Sequence, residues 1–175
     1  MNQRVEISYE EKQLPEWMME QLSLHTMGVF FPAGFMAEKE STTAIFQVDG
    51  YRPLSHIHRL ATEDVFQMFY QLILEMENNE KHYLFPENYL INEETIYFNP
   101  LANRVKMIFL PNEEMVSGKE QLLHLTCFCK TLISEEGQGY LDGWAEELKT
   151  GDLSYRSAIH RCELLQQEIY VCDIP

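Results

Sequence analysis

The stretch TEDVFQMFYQLILEMEN, residues 62–78, determines the fold of this 175-residue chain. Its apolar side chains recur at helical spacing but cover more than one face, which predicts a helix that is buried on two sides. Thr62 is predicted as the N-cap, with Glu63 and Asp64 in the first turn, where the helix dipole favours acidic residues. The apolar residues on which this prediction rests are Val65, Phe66, Phe69, Tyr70, Leu72, Ile73 and Met76.

The segment before this helix predicts a small antiparallel sheet and one further helix. RVEISY, residues 4–9, alternates like an edge strand, and a helix follows Pro15 with its spacing maintained as far as His25. The period then changes to two. Strands are predicted at residues 29–31, 34–37 and 43–48, the last of them leading into Asp49-Gly50, a dipeptide that favours a hairpin.

The segment after the long helix predicts a β-meander of three strands. Residues 89–91, 95–98 and 105–110 have extended patterns, and turn-forming residues separate them.

The remainder of the chain is predicted to be helical. Ser117 and Glu120 form a capping-box pattern ahead of a helix that is expected to reach Ile133. Residues 137–139 are predicted as a loop and 141–149 as a short helix. A last helix is expected to begin at Asp152 or Ser154 as its cap. The fold class predicted from these elements is α+β.

The composition excludes several classes of partner. The chain has 28 acidic against 13 basic residues and a net charge of −15, so nucleic acid and anionic membrane surfaces are not expected to bind. Ten Phe, nine Tyr and nine Met are enough to build a core, and one domain over residues 1–175 is predicted. No segment has the apolar length of a signal sequence or a membrane span, so this segment is not expected to insert into a membrane. A cytoplasmic location is predicted, with the cytosolic part of a membrane-associated protein as an alternative.

Zinc binding is an open alternative on sequence grounds. His124, Cys127 and Cys129 lie close together, and His160 and Cys162 lie on the last predicted helix. Without a paired-cysteine motif, these cysteines are better interpreted as reduced, buried side chains, as is expected of Cys172. We therefore predict no metal and no cofactor.

An enzymatic alternative also stays open. No nucleophile motif of the Gly-x-Ser-x-Gly kind occurs, and the paired carboxylates are typical of solvated surfaces. An acidic hydrolase or an atypical phosphotransferase would use Glu87 with His82 as base.

The segments KHYLFPENYLI (81–91) and IYFNP (96–100) resemble the catalytic segment of protein kinases. Pro86, Asn88, Leu90 and Ile91 match the kinase pattern in place. The resemblance implies a degenerate kinase-like fold, with a reduced N-lobe at residues 1–54 and a C-lobe-like part at 55–175.

The departures from the kinase pattern fall on the residues that carry the chemistry. Tyr83 stands at the catalytic Asp position, Phe85 at that of the loop Lys, and Asn99 near that of the magnesium-binding Asp. Phosphoryl transfer needs such charged groups, so the resemblance implies an inactive, pseudokinase-like domain.

A second resemblance involves the strings GVFFP (28–32), FQVDG (46–50), YLFPENYLI (83–91) and IYFNP (96–100). The pattern is similar to an uncharacterised domain that precedes forkhead-associated domains in proteins of Gram-positive bacteria. That domain is in turn similar to the kinase-like cytoplasmic domain of the type VII secretion proteins EssB and YukC. This likeness extends over roughly residues 1–170.

The predicted function is a non-catalytic interaction module in a larger bacterial signalling or secretion-associated protein. The chain ends at Pro175 soon after its last predicted helix, which favours a longer full-length protein. The partner is expected to be a protein, with a second copy of the chain as one candidate. The residues predicted to line the vestigial cleft are Tyr83, Phe85, Asn88, Tyr97 and Asn99.

Overall fold

Two small antiparallel sheets and five helices form the part of the chain that the structure, a computed structural model, describes: residues 3–10, 13–24, 28–151 and 154–172. The fold is α+β, as the sequence predicts. The strands are β1 (Arg4–Glu10), β2 (Ala33–Ala37), β3 (Ser41–Gln47), β4 (Arg52–Pro53), β5 (Ile96–Asn99) and β6 (Arg104–Met107). The helices are α1 (Glu16–Ser23), α2 (Thr62–Glu80), α3 (Gly118–Cys129), α4 (Glu135–Thr150) and α5 (Tyr155–Cys172).

The first sheet has the strand order β1-β3-β2, with Phe46 at its centre paired to Val5 on one side and Ala33 on the other. The buried side chains of this sheet and of α1 belong to the same apolar core. The predicted edge strand at residues 4–9 and the helix after Pro15 are confirmed. The helix predicted to continue to a stop at Gly28 ends earlier, at Ser23.

The turn at Asp49-Gly50 forms, but the predicted hairpin is wrong. Tyr51 N–H donates to Val48 O at 3.0 Å, and Gly50 has a φ of +78° that only glycine adopts without strain. β1 and β2 already occupy both edges of β3, so no edge is left for a returning strand. The chain therefore crosses to the second sheet, where β4 pairs with β5.

The second sheet has the order β4-β5-β6, and the predicted meander is wrong in its first strand. Residues 89–91 make only an isolated bridge between Tyr89 and Pro111. Side chains bind the backbone groups that a strand would use: Ile91 N–H donates to Gln121 Oε1 at 2.6 Å, and Leu90 O accepts from Thr95 Oγ1 at 3.0 Å. Backbone groups that bind side chains in this way are no longer available for pairing with a neighbouring strand.

The predicted strand at residues 29–31 is likewise reduced to one bridge, in which Phe30 pairs with Met107 of β6. Met107 N–H donates to Val29 O at 2.7 Å, and Phe31 N–H donates to Met107 O at 2.8 Å. This bridge ties the N-terminal region to the second sheet.

Helix α2 is the centre of the fold. Phe66 and Phe69 are fully buried and both contact the ring of Trp144 from α4, with ring centroids 6.4 and 5.8 Å apart. The two-sided burial that the sequence predicts is confirmed. The prediction of Thr62 as the N-cap is wrong, because Ala61 holds that position and Thr62 is the first helical residue.

The predicted loop at residues 137–139 is wrong, since these residues lie within the first two turns of α4. Two glycines are poor helix formers, but Gly137 is needed for close packing against α2. A Cβ atom at position 137 would overlap Thr62 Oγ1 and lie 3.1 Å from Ile133 Cδ1. Tertiary contact therefore overrides local preference here.

The helix starts are predicted better than the ends. Ser117 Oγ accepts from Glu120 N–H at 3.3 Å, which confirms the capping box of α3, although α3 stops at Cys129 and not at Ile133. Ser154 Oγ accepts from Ser157 N–H at 3.3 Å at the start of α5, while Asp152 lies outside the described residues. None of the helices within the described ranges combines the length and the apolar character that crossing a bilayer needs.

A pair of glycine substitutions tests the packing of α4 on α2. Gly137→Ala is expected to reduce the free energy of unfolding by about 1–3 kcal/mol, because the new methyl group overlaps Thr62. Gly139→Ala, in the same helix with nothing within 4 Å of a new Cβ, is expected to increase it by about 0.5–1 kcal/mol. Urea titration followed by circular dichroism measures both. Equal effects of the two changes would contradict the packing argument, and Thr62→Ala is expected to recover part of the Gly137→Ala loss.

Candidate interaction site

The end of α2 carries an exposed tyrosine in a strained backbone conformation. Tyr83 has a φ of +60° and its side chain is 82% exposed. Tyr83 N–H donates to Glu80 O at 3.0 Å, and Leu84 N–H donates to Asn79 O at 3.1 Å. These two bonds form a Schellman motif, in which the left-handed position is usually glycine. Tyrosine at this position costs stability without burying its ring.

The next residues hold a second exposed aromatic side chain beside Tyr83. Phe85 is 44% exposed and precedes a single 3-10 turn at Pro86–Asn88. Asn88 Oδ1 accepts from Phe85 N–H at 2.9 Å, and Asn88 O accepts from Asn112 N–H at 3.2 Å. The Asn88 side chain thus fixes the loop, and its backbone joins that loop to residues 110–117.

The loop at residues 110–117 presents a third exposed apolar residue. Met115 has a φ of +54° and is 61% exposed. Asn112 holds the loop closed, since its Nδ2 donates to Val116 O at 2.8 Å and its backbone O accepts from Met115 N–H at 3.2 Å. We call Tyr83, Phe85 and Met115 together the apolar tip.

A buried carboxamide supports both loops from below. Gln121 Nε2 donates to Pro86 O at 2.9 Å, to Tyr89 O at 3.2 Å and to Val116 O at 3.2 Å. With the bond from Ile91 N–H to its Oε1, this one side chain contacts four backbone groups, and its two amide hydrogens are shared among the three carbonyl oxygens. Sequence reasoning missed Gln121, which looks like an ordinary helical residue some 30 positions away from the loop it supports.

An apolar groove of about 350 Å³ lies next to the apolar tip, between Pro86 and helices α2, α3 and α5. At its edge the Tyr155 hydroxyl donates to Glu80 Oε1 at 2.5 Å. Burial, and then this hydrogen bond to Glu80, raise the pKa of Tyr155 well above its usual value, so the phenol stays protonated. Acidic residues flank the groove and the loops, namely Glu80, Glu87, Glu113 and Glu114.

The other residues predicted for the cleft have local structural roles. Tyr97 is buried on β5, with its ring 5.5 Å from that of Phe31 in an edge-on arrangement. Asn99 Oδ1 accepts from Leu101 N–H and Ala102 N–H, each at 3.0 Å, in the turn between β5 and β6. Of the five predicted residues, a hydrogen bond joins Phe85 and Asn88, whereas Tyr97 and Asn99 belong to the second sheet.

The residues of the two alternative sites are placed as follows. His82 is exposed, Glu87 is half-buried, and no hydrogen bond joins them. Cys127 is exposed, while Cys129 and Cys162 are buried, and burial raises the pKa of the Cys162 thiol to about 12. Within the described residues, no three His, Cys, Asp or Glu side chains are grouped as a metal site would need.

Comparison with known proteins gives a likeness that is structural and distant. No protein-family profile matches the chain, and no curated protein sequence matches it significantly. A crystal structure of the cytoplasmic fragment of EssB from Staphylococcus aureus aligns with 95% of this chain and 98% of its own, at 11% sequence identity and a TM-score of 0.47. The kinase-like division into 1–54 and 55–175 and the association with forkhead-associated domains stay predictions.

Replacing the strained tyrosine by glycine tests whether Tyr83 serves the fold. Tyr83→Gly is expected to increase the free energy of unfolding by about 1 kcal/mol, since glycine adopts a positive φ without steric cost. Phe85→Gly is the matched control, because Phe85 has a φ of −85° and its replacement is expected to cost about 0.5–1 kcal/mol. Urea unfolding gives both values. A loss of stability in Tyr83→Gly would mean that the Tyr83 ring contributes to folding.

Proposed function

We propose that this domain is a non-catalytic protein-interaction module that binds a basic partner protein through the apolar tip. The observation that carries the proposal is Tyr83, a large aromatic residue that is 82% exposed at a position where the backbone favours glycine. Strain of this kind persists where surrounding structure holds it and function uses it. Tyrosine is also among the residues that contribute most to binding energy at protein interfaces.

The preorganisation of the loops supports a binding role. Asn88, Asn112 and Gln121 bind the loop backbone and so help to hold the loops in place. A rigid loop loses less conformational entropy when a partner binds. The apolar tip is therefore suited to enter a partner surface without rearrangement.

Charge supports a basic partner. The chain has a net charge of −15, and Glu80, Glu87, Glu113 and Glu114 lie in or beside the loops of the apolar tip. Complementary charge around an apolar centre speeds association and excludes wrong partners. A partner segment with Lys or Arg beside an aromatic or aliphatic residue fits both features.

The non-catalytic part of the proposal rests on what the motif residues do. The side-chain oxygens of Asn88 and Asn99 already accept backbone N–H groups of their own loops. These bonds give the two asparagines a turn-forming role that needs no substrate. Membership of a larger bacterial signalling or secretion-associated protein is proposed from the sequence resemblance alone.

Peptide selection tests the binding mode. A random peptide library displayed on phage, selected on the natural chain and counter-selected on Tyr83→Gly, is expected to yield sequences with Lys or Arg next to an apolar residue. The dissociation constant of an enriched peptide is then measured by fluorescence anisotropy. Tyr83→Gly is expected to weaken binding by at least about tenfold, as removal of an interface hot spot does.

Leu101→Ser provides the control for this selection. Leu101 is 99% exposed, but it lies in the turn between β5 and β6, away from the loops of the apolar tip. Its replacement is expected to leave the dissociation constant unchanged. Enrichment of acidic peptides, or binding that ignores Tyr83, would contradict the proposal. Sedimentation equilibrium without added peptide shows whether the partner is a second copy of the chain. If it is, the natural chain is expected to self-associate and Tyr83→Gly is not.

Phosphoryl transfer provides the test against the enzymatic alternative. After incubation with magnesium and ATP labelled at the γ-phosphate, we expect no label on the chain or on an added casein acceptor. The physical reason is that Tyr83 stands where a kinase needs its catalytic carboxylate. Transfer of label that His82→Gln or Glu87→Gln removes would establish the enzymatic alternative instead.

A further inference from the structure

A second concave surface, separate from the apolar groove, lies along another face of α2. This cleft of about 650 Å³ is bounded by α2 on one side and β6 on the other, with Gly28 and Tyr51 at its edge. Its volume is in the range of small-molecule sites. We call it the β6 cleft.

The walls of the β6 cleft are fixed to one another by a side chain of α2. Gln71 Nε2 donates to Asn103 O at 2.9 Å, and Gln71 Oε1 accepts from Val105 N–H at 3.1 Å. Asn103 Nδ2 also donates to Asp64 Oδ1 at 3.2 Å. These bonds hold the start of β6 against α2, so the cleft is preformed.

Two cationic side chains of β6 line this cleft. Arg104 and Lys106 are two positions apart on a strand and therefore extend from the same face. Lys106 Nζ donates to Gly28 O at 2.7 Å, which leaves two of its three donor hydrogens for other acceptors. Arg104 is exposed and its backbone pairs with Asn99 of β5, while its side chain makes no hydrogen bond or ion pair within the described residues.

Glu75 is the acidic side chain of the cleft that acts on this pair of cations. Burial lowers the pKa of Lys106, Glu75 opposes that shift, and the Arg104 guanidinium adds to it. Burial raises the pKa of Tyr51, which keeps its hydroxyl protonated and available as a donor. Two neighbouring cations in a partly desolvated cleft repel each other until an anion neutralises them.

The placement of these cations is unusual for so acidic a chain. With 28 acidic residues available, two of only 13 basic residues face one cleft that has Glu75 as its acidic side chain. Another cavity of about 650 Å³, where α2 and α4 begin, includes Glu63 and Glu136 beside Arg59. That cavity is unsuited to an anion, whereas the β6 cleft has an excess of positive charge.

We propose that the β6 cleft binds the phosphate group of a small phosphorylated molecule between Arg104 and Lys106, with the Tyr51 hydroxyl as a further donor. The arginine fork matches two phosphate oxygens, and a lysine ammonium adds a point charge. A phosphate offers these three donors more acceptor oxygens than a carboxylate does. Glu75, whose carboxylate lies next to Gly28, would accept from a hydroxyl or amine elsewhere on the ligand.

The surroundings favour a soluble ligand. A net charge of −15 disfavours polyanions and anionic bilayers, which meet the charge of a large part of the surface, more than a small ion, which meets mainly the charge of the cleft. Lys106 is half-buried in the cleft, where a flat membrane surface has no access to it.

Titration of the full chain with inorganic phosphate and with glycerol 3-phosphate tests the proposal. Amide NMR signals of Gly28 and residues 104–106 are expected to shift in a saturable way, with glycerol 3-phosphate binding more tightly than phosphate. Sodium acetate at the same ionic strength is expected to produce no saturable shift. Equal responses to acetate and phosphate, or shifts that never saturate, would overturn the proposal.

Variants identify the binding groups. Arg104→Gln and Lys106→Met are each expected to weaken glycerol 3-phosphate binding by at least fivefold, and Lys106→Arg to retain most of it. Arg52→Gln is the matched control, because Arg52 is an exposed cation of β4 that does not line the cleft. Unfolding curves identify any variant that fails to fold. If Arg104→Gln or Lys106→Met does not fold, the glycerol 3-phosphate binding of the conservative Lys106→Arg variant decides the outcome. An equal effect of Arg52→Gln would overturn the assignment.

Two further measurements separate this inference from others. Tighter binding to phosphatidic acid vesicles than to glycerol 3-phosphate would overturn the small-molecule assignment. Tyr83→Gly is expected to leave phosphate binding unchanged, because Tyr83 is not part of the cleft. The inference about the β6 cleft and the proposed function therefore stand or fall separately.

Discussion

Two-sided burial of α2 is the constraint on which the rest of this structure depends. A helix whose Val65, Phe66 and Phe69 side chains are all removed from water must be covered by other elements along most of its length. α4 reaches it closely because position 137 has no side chain, and Trp144 then packs on the two phenylalanines. On the remaining side Gln71 binds backbone groups of β6 and of the turn before it, so the second sheet is positioned by the same helix.

The end of α2 determines what the surface can do. Its Schellman bonds turn the chain at Tyr83, and Asn88 and Gln121 then satisfy the backbone of the following residues. Polar side chains beneath the loops provide this support. A protein selected for stability alone would favour glycine at position 83. The proposed role of the ring in binding accounts for the tyrosine at this position.

The sequence predicted those features that depend on local patterns and missed those that depend on competition between distant groups. Periodicity located the buried helix, and the capping pattern at Ser117 and Glu120 located the start of α3. The Asp49-Gly50 turn formed, but pairing depended on whether β3 still had a free edge, which no local pattern contains. Residues 89–91 had a strand pattern, yet the Gln121 side chain bound the N–H group of Ile91. The glycines at 137 and 139 indicated a loop because the sequence does not reveal that Thr62 lies opposite.

For the candidate site, motif register pointed to Tyr83, Phe85 and Asn88, whereas Gln121 and the Arg104–Lys106 pair have no motif at all.

The motif positions themselves show how a loop can keep its shape without the chemistry that its pattern suggests. The oxygen of a carboxamide has two lone pairs. In Asn99 both are occupied, by the N–H groups of Leu101 and Ala102, so coordination of a cation there would first require this turn to open. Asn88 has one such bond, to Phe85 N–H, and its loss would release the segment that carries the exposed phenylalanine. Turn geometry is thus sufficient to explain Pro86 and Asn88 at these positions. The loop then owes its conformation to Asn88 together with Gln121 and Asn112, which bind the backbone of the same residues.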